Sequence, residues 1–95
     1  MYKDLDPVLH SQLRLAVVSI LVSVERADFA YLKNETGATS GNLSVQITKL
    51  REAGYIEVKK KFKGNYPQTS CRITGLGRQR FAEYVRAISG YLKTE

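Results

Sequence analysis

The 95-residue sequence predicts an α+β fold, mostly helical, as a single domain over residues 1–95. Three observations predict it. Apolar residues recur at helical spacing in three stretches, Leu9 to Val24, Leu43 to Leu50 and Phe81 to Leu92. One stretch, residues 55–73, alternates at strand spacing on either side of the turn residues Gly64 and Asn65. Asp or Thr before a helical stretch, and glycine after it, mark the joins. A chain of this length that is 43% apolar builds one core and leaves no material for a second domain.

The first helix is expected over residues 7–24, with Asp6 as its cap and Pro7 in its first turn. Leu9, Leu13, Ala16, Val17, Ile20, Leu21 and Val24 form its core stripe, while Leu15, Val18 and Val22 lie off it. A helix apolar on two sides must be covered on two sides. Either it is the buried centre of its own domain, or a second copy of the chain covers the outer side.

Residues 28–53 read as two helices joined by a turn. Asp28 caps a short helix from Phe29 to Thr36, with Phe29 and Leu32 facing inward and Gly37 able to stop it in the left-handed conformation. Thr39 or Ser40 caps a second helix that ends before Gly54. Two short helices around a glycine-containing turn are the outline of a helix-turn-helix.

A two-stranded hairpin follows over residues 55–73. Ile56, Val58 and Phe62 share one parity, which assigns Phe62 to the core side, and Glu57, Lys59 and Lys61 share the other. Lys60 breaks the alternation, so the strand is expected to leave the core there. Cys71 and Ile73 return on one face. Thr74 then caps a terminal helix, residues 75–93, whose seam of Phe81, Val85, Ile88 and Leu92 is broadened by Tyr84 and Tyr91. That helix is placed to pack beside the first and to help hold a dimer.

Charge distribution narrows the function. The net charge is +6, and residues 58–82 hold seven basic side chains and no acidic one, whereas the rest of the chain has eight basic and nine acidic. All of the excess lies in one segment, the pattern of a binding surface for a polyanion. The alternative is a solvated hairpin whose lysines discourage edge pairing.

Other functions find little in the residues. His10 and Cys71 are isolated soft ligands without metal-site spacing, and the glycines at 75 and 77 lack a phosphate-loop pattern. No catalytic residue, metal or cofactor is expected. The longest apolar run, Leu15 to Val24, is interrupted by serines and is half the ~20 residues of a membrane span; no secretory signal precedes it, and the single cysteine forbids an internal disulfide. These features predict a cytoplasmic protein without a membrane partner.

On the helix from Ser40, the face opposite Leu43, Ile47 and Leu50 carries Gly41, Val45, Thr48 and Glu52, flanked by Asn42, Ser44 and Lys49, and apart from Glu52 it is small or polar. Short hydroxyl and amide side chains reach base edges, and a bare glycine admits a phosphate close to the backbone. An ordinary solvated face would use better helix formers.

Helix, helix-turn-helix, hairpin and helix in this order make a winged helix-turn-helix. From about Leu13 to Tyr91 the chain resembles the small MarR/ArsR-like winged-helix transcriptional regulators of bacteria and archaea, on DFAYL, TSGNLSVQITKLREAGYIEVKKKF, the spaced Gly64, Pro67 and Thr69, and RITGLGRQRF. The resemblance implies sequence-specific binding of double-stranded DNA by a homodimer, without enzymatic activity. It puts Thr39, Ser40, Gly41, Asn42, Ser44, Val45, Thr48 and Lys49 on the recognition helix in the major groove. Lys59, Lys60, Lys61, Lys63, Asn65, Tyr66 and Arg72 become wing contacts, although the family's wing often carries basic residues where Asn65, Tyr66 and Gln68 stand here. Leu15, Val18, Val22, Tyr84, Ile88, Tyr91 and Leu92 are the expected dimer interface. A repressor on a roughly palindromic operator is the simplest mechanism, and activation would use the same residues. Three alternatives stay open: a nonspecific chromatin-like protein, an RNA binder in which Phe62 and Tyr66 stack on unpaired bases, and a protein-interaction module. The sequence names no small-molecule effector.

Overall fold

The computed structural model describes residues 2–93. The elements run α1 (Gln12–Ser23), β1 (Ala27–Asp28), α2 (Phe29–Thr36), α3 (Ser40–Glu52), β2 (Ile56–Lys63), β3 (Tyr66–Ile73) and α4 (Gly75–Leu92).

The first helix starts at Gln12 rather than Pro7. Asp6 does act as a cap, but of an isolated turn: its carboxylate accepts from Val8 N at 2.8 Å and its carbonyl from His10 N at 2.8 Å. The chain then straightens at Ser11 (φ −151°, ψ 129°). This break swings Leu9 fully into the core. The carbonyls of Pro7 and Val8 accept from the Arg14 guanidinium instead of from a continuing helix.

Around α1 stand α2, α3, α4 and β3. Val17, Val18 and Leu21 are its buried residues, and Leu13, Leu15, Ile20, Val22 and Val24 pack half-buried against the same core. The expectation that Val18 lies off the core stripe, at a dimer interface, is therefore corrected. With neighbours on several sides, the helix buries a residue that a one-sided stripe would leave out.

The sheet has three strands, not two. β3 is central and antiparallel to both neighbours, in the order β1-β3-β2. Ala27 pairs with Cys71 and Asp28 with Ser70, and β2 pairs with β3 from Ile56–Ile73 out to Lys63–Tyr66. Asp28 ends β1 and caps α2 at once: one carboxylate oxygen accepts from Tyr31 N at 2.8 Å and the other from the Gln68 amide at 3.1 Å. Gly37 ends α2 at φ 70°, and Gly64 turns the hairpin at φ 66°.

Thr74 caps α4 by accepting from Gly77 N. At Gly77 the helix meets the end of the α3–β2 connection so closely that a Cβ there would lie 2.2 Å from the Tyr55 carbonyl oxygen. The inward face of α4 is Gly77, Tyr84 and Ala87. Phe81 and Ile88 are half-buried against the core, while Val85 and Leu92 of the expected seam are exposed. Tyr84, expected at a dimer interface, is instead buried within its own chain, its hydroxyl 2.9 Å from His10 Nδ1. Two further bonds tie the N-terminal segment down: Tyr55 OH, from the α3–β2 connection, donates to Asp6 at 2.5 Å, and Tyr91 OH, from α4, donates to the Lys3 carbonyl at 2.8 Å.

Candidate nucleic-acid interface

The geometry of α3 follows from its two faces. Leu43, Ile47 and Leu50 anchor it in the core, and Thr39 fixes its start by accepting from Asn42 N at 3.2 Å. Ser40, Gly41, Asn42, Ser44, Val45, Thr48 and Lys49 are all exposed on the outward side. A Cβ built on Gly41 meets nothing within 4 Å, so the backbone there is open to close approach.

Polar groups on this surface are partly pre-set. Arg14 Nη1 donates to Gln46 Oε1 at 2.5 Å, and Gln46 Nε2 donates to Asn42 Oδ1 at 3.0 Å. This chain from α1 through α3 fixes the Asn42 amide. Its NH2 and one oxygen lone pair stay free, the donor and acceptor that a paired contact to an adenine edge requires. Thr48 Oγ1 donates to the Ser44 carbonyl at 3.0 Å, so its hydroxyl oxygen remains outward as an acceptor.

The four lysines of the hairpin do not form one surface. Directly paired residues of antiparallel strands share a face. Lys60 pairs with Thr69 and shares the face of Ile56 and Val58, whereas Lys59, Lys61 and Lys63 point to the other side with Glu57 and Arg72. Lys60 therefore faces α3. Between them runs an open groove of about 400 Å³ lined by Phe29, Ser44, Ile47, Thr48, Arg51, Val58, Lys60 and Thr69. It brings three hydroxyls and two cations to the side of the exposed helix face. On the opposite side of the sheet, Arg72 Nε donates to Glu57 Oε1 at 2.6 Å, so this cation already has a partner.

Phe62 is not in the core. It is 77% exposed, as Tyr66 is at 78%, while Asn65 sits in the turn between the strands. Phe62 does share the face of Ile56 and Val58, but no core lies beneath it. No β2 side chain after Val58 is buried, and beyond Lys60, which still lines the groove beside α3, the face that carries Phe62 covers nothing.

Sequence reasoning missed Arg51, Gln46 and Arg14. Spacing gave a signal for two of them: Arg51 lies three residues after Thr48, and Gln46 four after Asn42, each on the same helical face. Arg14 had none, because its role depends on α1 packing beside α3.

The buried Cys71 has its thiol pushed up to about 11 by burial, which keeps it protonated and a poor metal ligand. Among the described residues no three of His, Cys, Asp or Glu converge, and no helix is long and apolar enough to cross a membrane.

Comparison with known proteins agrees with this geometry. The family model described as a winged helix DNA-binding domain matches residues 13–92. An uncharacterised protein of Methanocaldococcus jannaschii is 33% identical over 81 residues, covering 85% of this chain and 88% of the relative. Among solved structures, the transcriptional regulator homologue of Pyrococcus horikoshii superposes with a TM-score of 0.82 at 22% identity, over 90% of this chain and 84% of that one. The transcriptional repressor BigR of Xylella fastidiosa gives a TM-score of 0.62 at 26% identity, over 93% and 83%. The fold is thus one found in proteins described as transcriptional regulators. With its helix-turn-helix, its hairpin and a match over most of its length, the chain belongs to the winged helix DNA-binding domain family.

Proposed function

We propose that the protein is a cytoplasmic transcriptional regulator of the small MarR/ArsR-like type that binds double-stranded DNA sequence-specifically as a homodimer. The observation that carries this is the outward face of α3, short, polar and held in place by the Arg14–Gln46–Asn42 chain, set beside a groove with Arg51 and Lys60. In this reading α3 lies in the major groove. Asn42, Ser44 and Thr48 contact base edges, and the N-terminal residues Thr39, Ser40 and Gly41 approach a phosphate. Lys49 and the lysines of the hairpin contact phosphates.

These contacts divide the labour. Cations on phosphates release counterions, giving affinity that is steep in salt and indifferent to sequence. Base contacts select the site, at about 1–3 kcal/mol for each good bidentate pair. A single copy has few of them. Two copies about a twofold axis read a roughly palindromic operator with half-sites about 34 Å apart. Support for a second copy comes from α4, where Val85 and Leu92 are exposed, and from the half-buried Leu15, Val22 and Ile88. Repression by occlusion of a promoter needs no further part.

Selection of sites from a random duplex library, followed by a salt titration on the best site, tests the reading. A twofold-symmetric motif with a steep salt slope is the expected result. Salt-sensitive binding without any enriched motif would remove sequence specificity, and preference for single-stranded RNA would remove duplex DNA as the partner.

A further inference from the structure

Among the described residues, Phe62 is an exposed aromatic that does not pack against the core. It stands four residues beyond Val58, the last β2 side chain packed against the core, or about 13 Å further along the strand. Its cross-strand neighbour on the same face is Pro67, also exposed. The two make a small apolar tip on one face of a hairpin rich in Lys59, Lys60, Lys61 and Lys63, whereas the other exposed aromatic, Tyr66, pairs with Lys63 on the opposite face. Nothing in the fold's stability requires a phenyl ring there, and a lysine hairpin is soluble and protected from edge pairing without it.

The surroundings select what such a tip can enter. A ring flanked by ammonium groups is poorly suited to an apolar protein surface, where the lysines would lose hydration without a counter-charge. It suits a polyanion whose interior is apolar: a nucleic-acid duplex, with phosphates at the rim of a groove and base faces inside. The face is also fixed. Phe62 shares the side of Lys60, which lines the groove against α3, and lies two residues, or about 7 Å, further out. With α3 in a major groove, that side of the hairpin turns to the duplex and its tip reaches the neighbouring minor groove.

We propose that Phe62, backed by Pro67, is a wedge that enters the minor groove beside each half-site and partly unstacks one base step, bending the duplex. The inference rests on the reading of the protein as a duplex-DNA binder. Apolar side chains inserted in this way kink DNA toward the major groove, and the cost depends on which step is opened. Pyrimidine–purine steps unstack most easily, so the wedge adds a preference for TA or CA/TG at a position where no hydrogen bond reads a base.

The test uses the full chain on its selected site, with end-to-end fluorescence transfer for bending and 2-aminopurine at the flanking step for unstacking. Wild type is expected to bend the duplex and raise the 2-aminopurine signal. Phe62→Ala should abolish both and weaken binding about tenfold with the salt slope kept, and Phe62→Leu should fall between. Because the ring is exposed, the variants retain the fold, which circular dichroism checks. A Phe62→Ala protein that bends and binds as wild type does would overturn the wedge and leave the DNA-binding reading intact. Wild-type protein without duplex binding would overturn both. Loss of single-stranded oligonucleotide binding in Phe62→Ala, with duplex binding and bending unchanged, would also reject it.

Discussion

Asn42 and Lys60 lie on neighbouring surfaces, yet their chemistry predicts different failures. Asn42 offers a fixed amide, so Asn42→Ala should relax preference at one base pair by about 1–3 kcal/mol and leave the salt slope unchanged. Lys60 is a charge beside the α3 groove. Lys60→Ala should weaken binding to all duplexes alike and flatten the salt slope by about 0.9, one phosphate contact, whereas Lys61→Ala, on the opposite face, should do less. Competition with nonspecific duplex at several salt concentrations measures both quantities. Equal effects of the two lysine substitutions would show that the face of the hairpin does not matter.

A second residue-scale prediction concerns alkaline pH. Burial, with the hydrogen bond to Asp6 and its charge, pushes the Tyr55 hydroxyl up to about 12 from an ordinary value of 10. Raised in the folded state, this group contributes stability that is fully present below pH 10 and is lost as pH climbs toward 12. Burial pushes the Cys71 thiol up as well, so its contribution fades from pH 9 to about 11. Thermal melts of wild type and Tyr55→Phe separate the two. The phenylalanine variant should be less sensitive to pH between 10 and 12, and parallel curves would remove Tyr55 from the account.

At the scale of elements, what the sequence revealed depended on how local the cause was. Caps are local: Asp28, Thr39 and Thr74 each accept the backbone N–H that their position in the sequence implies. The two faces of α3 were legible for a similar reason, since Leu43, Ile47 and Leu50 fix the inner side and periodicity fixes the outer. Three features depended on packing at a distance. A two-residue strand has no alternation to read, so β1 stayed hidden. The start of α1 depended on burying Leu9, and the groove with Arg51 and Lys60 exists only because β2 folds back beside α3. Parity gave Phe62 its face without telling whether a core lay beneath it. The contact between α4 and Tyr55 was equally invisible, and it carries a prediction. Gly77→Ala sets a methyl 2.2 Å from a carbonyl oxygen, so α4 must shift, at a cost of about 1–3 kcal/mol. Urea unfolding measures that loss, and an unchanged midpoint would mean that the contact has room to relax.

For the whole molecule, the proposed homodimer requires two copies, each with a net charge of +6, to associate. The charge excess sits in residues 58–82, mostly on the hairpin, so dimerisation is least opposed if it occurs away from that segment. The outer side of α4 meets this condition in its second half, where Val85 and Leu92 are exposed next to the half-buried Ile88. Burying these residues in a self-complementary contact supplies the apolar area that a twofold interface needs. Val18 and Tyr84 are excluded from it because their own chain already covers them. Replacing Val85 and Leu92 together by Glu should therefore leave the circular dichroism spectrum unchanged and yield monomers by analytical ultracentrifugation. Joining two half-site contacts in one particle raises affinity without any new contact to DNA, by about 10²–10⁴. The double variant should accordingly lose about 100-fold or more on a two-half-site operator and little on a single half-site. If it stayed dimeric, the interface would have to lie on α1, around Leu15 and Val22, and the same pair of measurements with those two residues replaced would decide it.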